Sequence, residues 1–192
     1  MTTLTVVKKG DRVAIAADGM TTFGDTRLAR SYKGEHDKIL DIDGSKVAIC
    51  GSSAHHLVLR SAFAKLEEIR LDSRMDVYET FRRLHPILKE HAFLNPKEDE
   101  DDPYESSQIQ ALIANASGIY GVYSYREVFE FDRFWAAGSG RSFALGAMHA
   151  LYDSPLAAAE IARAGVAAGI EFDTGSGGPV VVHEFVLEGR QA

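Results

Sequence analysis

The sequence predicts an α+β fold, a four-layer α-β-β-α sandwich in which two antiparallel sheets face each other and helices cover both outer faces. Segments with strand and helix patterns follow in the order strands, two helices, strands, two helices and one strand. Strands grouped with strands favour antiparallel sheets over a βαβ alternation. A chain of 192 residues, 45% of them hydrophobic, is long enough to bury a full core. We therefore take residues 1–192 as one domain.

The first part of the chain contains four short segments of strand pattern. Residues 4–7 and 13–18 are predicted to form a hairpin around Lys9-Gly10-Asp11. Residues 38–42 and 46–50 are predicted to form a second hairpin around an Asp-Gly turn.

Helical spacing of apolar residues comes next. It predicts one helix over about 54–71 and a second one from Val77 past Leu88, with a bend near Pro86. The stretch 95–103 then interrupts the pattern. Because it is acidic and bounded by proline, we expect it to be a solvated loop.

The second half repeats the scheme. Residues 108–114, 119–124 and 128–131 predict a meander of three strands, and an Ala-rich helix to about residue 151 follows Gly138-Ser139-Gly140.

The end of the chain predicts one more helix and one strand. Ser154 as N-cap and Pro155 at the first helical position predict a helix that runs to about Phe172. After a Gly-rich loop, residues 180–187 have the pattern of the last strand.

Composition excludes several classes of function. A net charge of −7 without a basic stripe argues against a nucleic-acid partner, and no apolar run is long enough to cross a membrane. The single cysteine, Cys50, allows no disulfide within the chain and has apolar neighbours, which predict a buried small side chain and not a nucleophile. The histidines lack a metal-ligand spacing. With no signal peptide recognisable, we expect the protein in the cytoplasm.

An ordered series of short motifs runs through the chain. Its members are Thr2 before the first strand, Ala17-Asp18-Gly19, Lys38-Ile39, Ile49-Cys50-Gly51-Ser52-Ser53-Ala54, Gly138-Ser139-Gly140 and Asp173-Thr174-Gly175-Ser176-Gly177-Gly178. In this order and spacing, the series resembles the proteasome β-subunits and their bacterial relative, the HslV peptidase, with the betaproteobacterial proteasome homologues as one option. The resemblance covers nearly the whole chain. It implies the N-terminal-nucleophile hydrolase fold and a threonine-type endopeptidase.

The resemblance gives the start of the chain a catalytic role. Once Met1 is removed, Thr2 carries a hydroxyl nucleophile and a free α-amine that can take its proton, an activation that a threonine hydroxyl requires. The resemblance implies that Lys38 keeps this amine neutral by its charge and that Asp18 pairs with Lys38. Lys33 is the alternative lysine. The chain shows no propeptide, so we expect that removal of Met1 suffices.

The same resemblance assigns the other catalytic residues. The backbone N–H of Gly51 matches the donor to the oxyanion that forms when a peptide carbonyl is attacked. Ser139, Asp173 and Ser176 match the residues that form hydrogen bonds around the terminal amine and the nucleophile.

Substrate binding is implied less closely. Thr21, Thr22, Ile49 and Ser53 match substrate-binding positions, and an extended peptide is expected to pair with the backbone near Thr22 and after Gly51. The pocket for the residue before the cut would be lined by Thr21, His36, Leu40, Ile49, Ser53 and Leu57, which predicts a preference for apolar or aromatic side chains. The chain departs from the family at Met20 and in the stretch Ser-Ser-Ala-His-His after Gly51.

The resemblance also implies partners and ions. It implies a homo-oligomeric double ring of six or seven subunits per ring, unfolded polypeptides as substrates, and an AAA+ unfoldase, since the chain itself has no GxxxxGK[ST] motif. No cofactor is required. The carbonyls of Gly169, Phe172 and Gly175 match a site for a structural monovalent or divalent cation. Two alternatives stay open: a ring-forming scaffold with weak or no activity, and a small-substrate amidohydrolase of the same superfamily.

Overall fold

The computed structural model describes residues 2–28, 32, 34, 38–51, 54–94, 107, 109–124 and 127–188. In this part of the chain, eleven strands and four helices follow each other. The strands are β1 (Thr3–Lys9), β2 (Arg12–Asp18), β3 (Thr21–Phe23), β4 (Thr26–Leu28), β5 (Ile39–Ile42), β6 (Ser45–Cys50), β7 (Gln110–Asn115), β8 (Gly118–Val122), β9 (Val128–Phe131), β10 (Phe134–Gly138) and β11 (Val180–Val186), and the helices are α1 (Ala54–Phe63), α2 (Arg74–His91), α3 (Arg141–Leu151) and α4 (Ala158–Phe172).

The strands form two antiparallel sheets and a small hairpin. One sheet has the order β10-β1-β2-β11, the other has the order β5-β6-β7-β8-β9, and β3 pairs with β4 alone. Neighbours are sequential throughout the five-stranded sheet, whereas in the four-stranded sheet β10 and β11 pair with β1 and β2 from the other end of the chain. Hydrophobic residues of the strands alternate between two faces, as antiparallel strands with two covered faces require.

Three buried clusters separate four layers. The first cluster lies between the two sheets and includes Leu4, Ile15 and Leu112. The second packs the five-stranded sheet against α1 and α2, and the third packs the four-stranded sheet against α3 and α4. The predicted α-β-β-α sandwich is therefore confirmed.

Three local predictions were wrong. Residues Phe134–Gly138 form β10, an edge strand paired with β1, whereas the sequence analysis assigned no strand there. Helix α1 ends at Phe63 and not near residue 71, and Leu71 reaches the core from an irregular segment. Ser154 does not cap α4. Its hydroxyl donates to Leu151 O in the preceding turn.

The start of α4 has a different cap. The carboxylate of Glu160 accepts the backbone N–H of Ala157 at 2.7 Å, which satisfies one unpaired donor at the helix start. The acidic stretch 95–103 lies outside the described residues. Within the described residues, none of the helices has the length and apolar character needed to cross a membrane.

The topology places the start of the chain in the middle of a sheet. β1 pairs with β10 through Thr3 and Gly138 and with β2 through Leu4 and Ala17. Thr2 therefore lies beside the ends of β2 and β10, and residues from both strand ends can reach its side chain and backbone.

Candidate active site

The hydroxyl of Thr2 lies between a carboxylate and an ammonium group. Thr2 Oγ1 donates to Asp18 Oδ1 at 2.5 Å and accepts from Lys38 Nζ at 2.5 Å. Lys38 Nζ also donates to Asp18 Oδ1 at 2.7 Å. Thr2 is 2% exposed, so the three polar groups interact largely away from water, where charge-assisted hydrogen bonds are strong.

Asp18 is held by the backbone on both of its oxygens. Oδ1 accepts the N–H of Thr3 at 2.9 Å, and Oδ2 accepts the N–H groups of Met20 at 3.1 Å and Gly177 at 3.0 Å. The side chain of Asp18 is 0% exposed. A buried carboxylate needs this number of donors and a cation to stay stable in the charged form, so the ion pair with Lys38 is part of a closed arrangement.

A second hydrogen-bond group reaches Thr2 from the other side. The Thr2 nitrogen donates to Ser139 Oγ at 3.1 Å, and Ser139 Oγ donates to Asp173 Oδ2 at 2.7 Å. Ser176 Oγ donates to the same oxygen at 2.7 Å. Burial raises the pKa of Asp173, but the hydrogen bonds from Ser176, Ser139 and the backbone of Gly175 outweigh burial and lower it below its ordinary value. Asp173 is therefore an ionised acceptor near neutral pH.

A glycine allows this close approach of β10 to the start of the chain. Gly138 has a φ of +90°, and a Cβ at this position would lie 2.2 Å from the carbonyl oxygen of Thr2. No other residue type fits such a contact with backbone. The Gly138-Ser139 step thus brings the Ser139 hydroxyl next to the Thr2 nitrogen.

The structure brings six of the seven predicted catalytic residues into one connected cluster. They are Thr2, Asp18, Lys38, Ser139, Asp173 and Ser176. The seventh, Gly51, lies after β6 with a φ of +121°, and its role as oxyanion donor stays a prediction. The alternative lysine, Lys33, lies outside the described residues.

The predicted substrate residues are only partly brought together. Thr21 and Thr22 lie half-exposed on β3, next to the cluster in sequence. Ile49 is 1% exposed and Leu40 is 2% exposed, both in the core between the five-stranded sheet and the helices. The prediction that they line an open pocket is therefore not supported by this structure, because their side chains are buried against other core residues. His36 and Ser53 lie outside the described residues.

The remaining predicted pocket residue, Leu57, is exposed. It is 63% exposed on α1 and lines a groove between α1 and α2 together with Ile87 and His91. This groove belongs to the outer helical layer, so it is separate from the buried Leu40 and Ile49.

A cavity of about 460 Å³ opens beside the cluster. Asp173 and Ser176 line it, together with Thr22 and Arg27 of the β3–β4 hairpin. Met20 contributes to the lining and packs against Gly177, whose added Cβ would lie 2.9 Å from the Met20 sulfur. Met20 thus fills space beside Asp18 with an apolar side chain.

The three carbonyls predicted to bind a cation lie at or after the end of α4. Gly169 O accepts the N–H of Asp173 at 2.8 Å, which closes the last helical turn. Phe172 is the last residue of α4, and Gly175 follows in the turn. Within the described residues, no group of His, Cys, Asp or Glu side chains could hold a metal ion.

Cys50 is not activated as a nucleophile. Burial raises the pKa of its thiol to about 11, and the thiol donates to Gln110 Oε1 at 2.8 Å. A thiol with this pKa has almost no thiolate at neutral pH.

Sequence reasoning missed three contributors. Thr3 donates its N–H to Asp18 and contacts Ser176 Oγ through its hydroxyl, and the N–H groups of Met20 and Gly177 complete the shell around Asp18. Backbone donors leave no signature in a sequence. The available signal for Thr3 was a pair of threonines, Thr3 and Thr5, on one face of a strand whose neighbouring residues are apolar.

Comparisons with known proteins agree with this site. No protein-family model matches the chain. The chain is 32% identical to the ATP-dependent protease subunit HslV of Bartonella quintana over 84% of this chain and 77% of that protein. It is 31% identical to HslV of Rickettsia bellii, over 84% of this chain and 82% of that protein.

Solved structures show the same relationship. The chain is 43% identical to Thiobacillus denitrificans BPH, with a TM-score of 0.90 over 97% of this chain and 99% of that one. A further structure of that protein is in complex with epoxomicin, at 42% identity and the same TM-score of 0.90. HslV from Trypanosoma brucei, at 21% identity and a TM-score of 0.73, supports the fold alone.

The fold and these similarities define a bacterial proteasome β-subunit homologue, a threonine-type peptidase. The chain belongs to the HslV family.

Proposed function

We propose that this chain is a self-compartmentalising threonine endopeptidase subunit in which Thr2, exposed by removal of Met1, attacks the peptide bonds of unfolded polypeptides. The observation that supports it best is the position of Thr2 Oγ1, which lies 2.5 Å from both Asp18 Oδ1 and Lys38 Nζ. A hydroxyl needs such neighbours because it is a poor nucleophile at its own pKa.

The free amine of Thr2 serves as the general base. Its ordinary pKa is roughly 7.7–8.0, close to working pH. The neighbouring ammonium group of Lys38 favours the neutral amine, because like charges disfavour each other. Ser139 accepts one N–H of the amine, as the 3.1 Å contact supports, and the nitrogen lone pair remains available for the hydroxyl proton.

The reaction then follows the course of acyl transfer. Thr2 Oγ1 forms a bond to the peptide carbonyl carbon while its proton passes to the amine, directly or through a water. The oxyanion accepts the N–H of Gly51. The amine returns the proton to the leaving nitrogen, the peptide C–N bond breaks, and the ester on Thr2 is hydrolysed by water, which regenerates the hydroxyl.

We also propose the assembly and the energy source. The relatives are named subunits of an ATP-dependent protease, which supports a homo-oligomeric double ring of six or seven subunits per ring and an AAA+ unfoldase that supplies unfolded chains. Such a chamber in the cytoplasm would protect folded proteins. The carbonyls of Gly169, Phe172 and Gly175 would bind a structural monovalent or divalent cation.

Intact mass spectrometry tests the proposal. The protein is weighed before and after incubation with epoxomicin, the compound bound to Thiobacillus denitrificans BPH. We expect loss of the mass of methionine and one covalent adduct per chain. Thr2→Ala should abolish the adduct, and Thr2→Ser should keep it because serine retains both the hydroxyl and the amine. Retention of Met1 without an adduct would contradict the proposal.

A further inference from the structure

Thr3 has a buried hydroxyl group beside the catalytic cluster, and the reaction described above gives it no role. Thr3 is 0% exposed. Its Oγ1 lies 2.7 Å from Ser176 Oγ, while its backbone N–H donates to Asp18. It therefore contacts both of the carboxylates on which the cluster depends, one directly and the other through a serine.

The numbers of donors and acceptors fix the direction of each hydrogen bond. Asp173 is ionised and only accepts, and both Ser139 and Ser176 lie 2.7 Å from its Oδ2. Each serine has one hydroxyl proton. Ser139 Oγ also lies 3.3 Å from Thr2 O, but the ionised carboxylate at 2.7 Å is the closer and stronger acceptor, so each serine donates to Asp173. Ser176 must then accept from Thr3, and Ser139 must accept from the Thr2 nitrogen.

Two glycines hold the Thr3 hydroxyl in place. A Cβ on Gly140 would lie 2.0 Å from Thr3 Oγ1, and a Cβ on Gly169 would lie 2.2 Å from the same atom. Both distances are far shorter than any non-bonded contact, so the hydroxyl occupies the space that a side chain at either position would need. Gly140 precedes α3 and Gly169 belongs to α4, so elements from two parts of the chain confine Thr3.

We propose that Thr3 is a positioning residue for the peptidase reaction, an inference that rests on the proposed function. Its O–H donates to Ser176, so the Ser176 O–H points to Asp173 and donates to it. Because Asp173 is ionised, the Ser139 O–H also donates to Asp173. Ser139 then presents a lone pair to the Thr2 nitrogen, and the lone pair of that nitrogen remains free to act as a base.

The opposite arrangement would block the base. If Asp173 were protonated, Ser139 could donate to the Thr2 amine and occupy its lone pair. Loss of the Thr3 hydroxyl leaves a lone pair of Ser176 without its donor, so the Ser176 O–H is less polarised and gives Asp173 a weaker hydrogen bond. Asp173 is then held less firmly as the acceptor for Ser139, and the amine lone pair is available to the hydroxyl proton in a smaller fraction of the molecules.

Other charges surround Asp173 and stay the same in the test. Asp25 and Arg27 face it from the β3–β4 hairpin, and Glu171 lies on α4 along the same cavity. None of them is changed by a substitution at Thr3, so a change in kcat can be assigned to the hydroxyl of Thr3.

The test is the steady-state kinetics of peptide cleavage by the assembled protein near neutral pH, with kcat and KM measured separately. Thr3→Val keeps the shape of the side chain and removes the hydroxyl. We expect kcat to fall about five- to tenfold, which corresponds to one hydrogen bond, with KM within about twofold of wild type. Thr3→Ser, which keeps the hydroxyl, should restore kcat to near the wild-type value.

A matched control lies two residues away. Thr5 is also buried on β1, and its hydroxyl donates to Ala162 O of α4 at 3.0 Å. Thr5→Val removes a buried hydroxyl from the same face without touching Asp173, so we expect a lower Tm and an unchanged kcat. If Thr3→Val fails to assemble, Thr3→Ala takes its place beside Thr3→Ser.

The outcomes separate the two proposals. Wild-type kcat in Thr3→Val, or an equal loss of kcat in Thr3→Ser, would overturn the role of Thr3 alone. A wild-type protein that forms no adduct at Thr2 would overturn the proposed function and this inference with it. In a Ser176→Ala background, Thr3→Val should have no further effect on kcat, and an additive loss would also overturn the inference.

Discussion

Replacing Asp18 by asparagine should weaken both the stability and the reactivity of the site. The substitution keeps the size of the side chain but removes the charge that faces Lys38 Nζ at 2.7 Å. Both side chains are well buried, at 11% exposure for Lys38 and 0% for Asp18. Removing one partner of a buried ion pair typically costs about 3–5 kcal/mol.

The hydrogen bonds of Asp18 lead to a similar magnitude. Oδ1 accepts three donors, from Thr2, Thr3 and Lys38, and Oδ2 accepts two backbone N–H groups. An asparagine must place its NH₂ group at one of these two oxygen positions, so at least two donors would face another donor. At about 1–3 kcal/mol for each unsatisfied buried group, the cost is about 2–6 kcal/mol.

Thermal unfolding and inhibitor labelling measure the two consequences. For a domain of this size, 1 kcal/mol corresponds to about 2–4 °C in Tm, so a cost of about 3 kcal/mol predicts a Tm lower by about 6–12 °C. Protein concentrations must be matched, because assembly itself raises Tm. We expect the rate of epoxomicin labelling at Thr2 to fall at least about 100-fold, the equivalent of about 2.7 kcal/mol. A variant with wild-type Tm and labelling rate would refute this reasoning.

Three further results should follow from the structure. Gly140→Ala should lower the free energy of unfolding by about 1–3 kcal/mol, because its Cβ would lie 2.0 Å from Thr3 Oγ1. Gly146→Ala, which has open space around its Cβ, should be neutral or stabilising in the same urea titration. Equal stability of the two variants would contradict this. Iodoacetamide at pH 8 should leave Cys50 unmodified in the native protein and modify it in urea, since burial raises its pKa to about 11, and rapid native alkylation would show that the thiol is accessible. The hydrogen bonds of Asp173 lower its folded-state pKa although burial alone raises it, so its contribution to stability is complete above the ordinary pKa of 3.8 and is lost as pH falls through the lower folded-state pKa. Asp173→Asn should therefore flatten the pH dependence of the free energy of unfolding, measured in urea, over that acid range. An unchanged pH dependence would exclude the contribution of Asp173.

The order of elements was sufficient to predict the architecture. Grouped strands and paired helices have few ways to bury their apolar faces, so the four layers followed from pattern alone. The errors lie where pattern has several explanations. Phe134–Gly138 has two aromatic residues and two alanines, which suit a strand or the approach to a helix equally, and its pairing with β1 is a non-local contact that periodicity does not encode.

Helix α1 shows the limit of apolar spacing. Leu66, Ile69 and Leu71 continue the helical period after Phe63, and they do pack against the core. They do so from an irregular segment, because a position that faces the core favours an apolar residue whether or not the backbone there is helical. The prediction thus identified the residues that pack against the core but assigned them the wrong secondary structure.

The candidate site divides in the same way. Thr2, Asp18 and Lys38 could be predicted because their side-chain chemistry and order are visible in the sequence. The need for glycine at positions 138, 140 and 169 could not be predicted from the sequence. It arises only when the chain folds, because a Cβ at any of them would lie too close to Thr2 or Thr3. Ile49 shows a second limit. It occupies a motif position that predicts contact with substrate, yet its side chain is buried in the core.

The cluster around Thr2 is collected from the entire length of the polypeptide. Asp18 and Lys38 come from the first forty residues, Ser139 follows β10, and Asp173 follows α4. Folds that depend on contacts between residues this far apart in sequence form slowly. A chain that is still being synthesised lacks Ser139 and Asp173, so the hydrogen bonds that hold the Thr2 nitrogen can form only after α4 is complete.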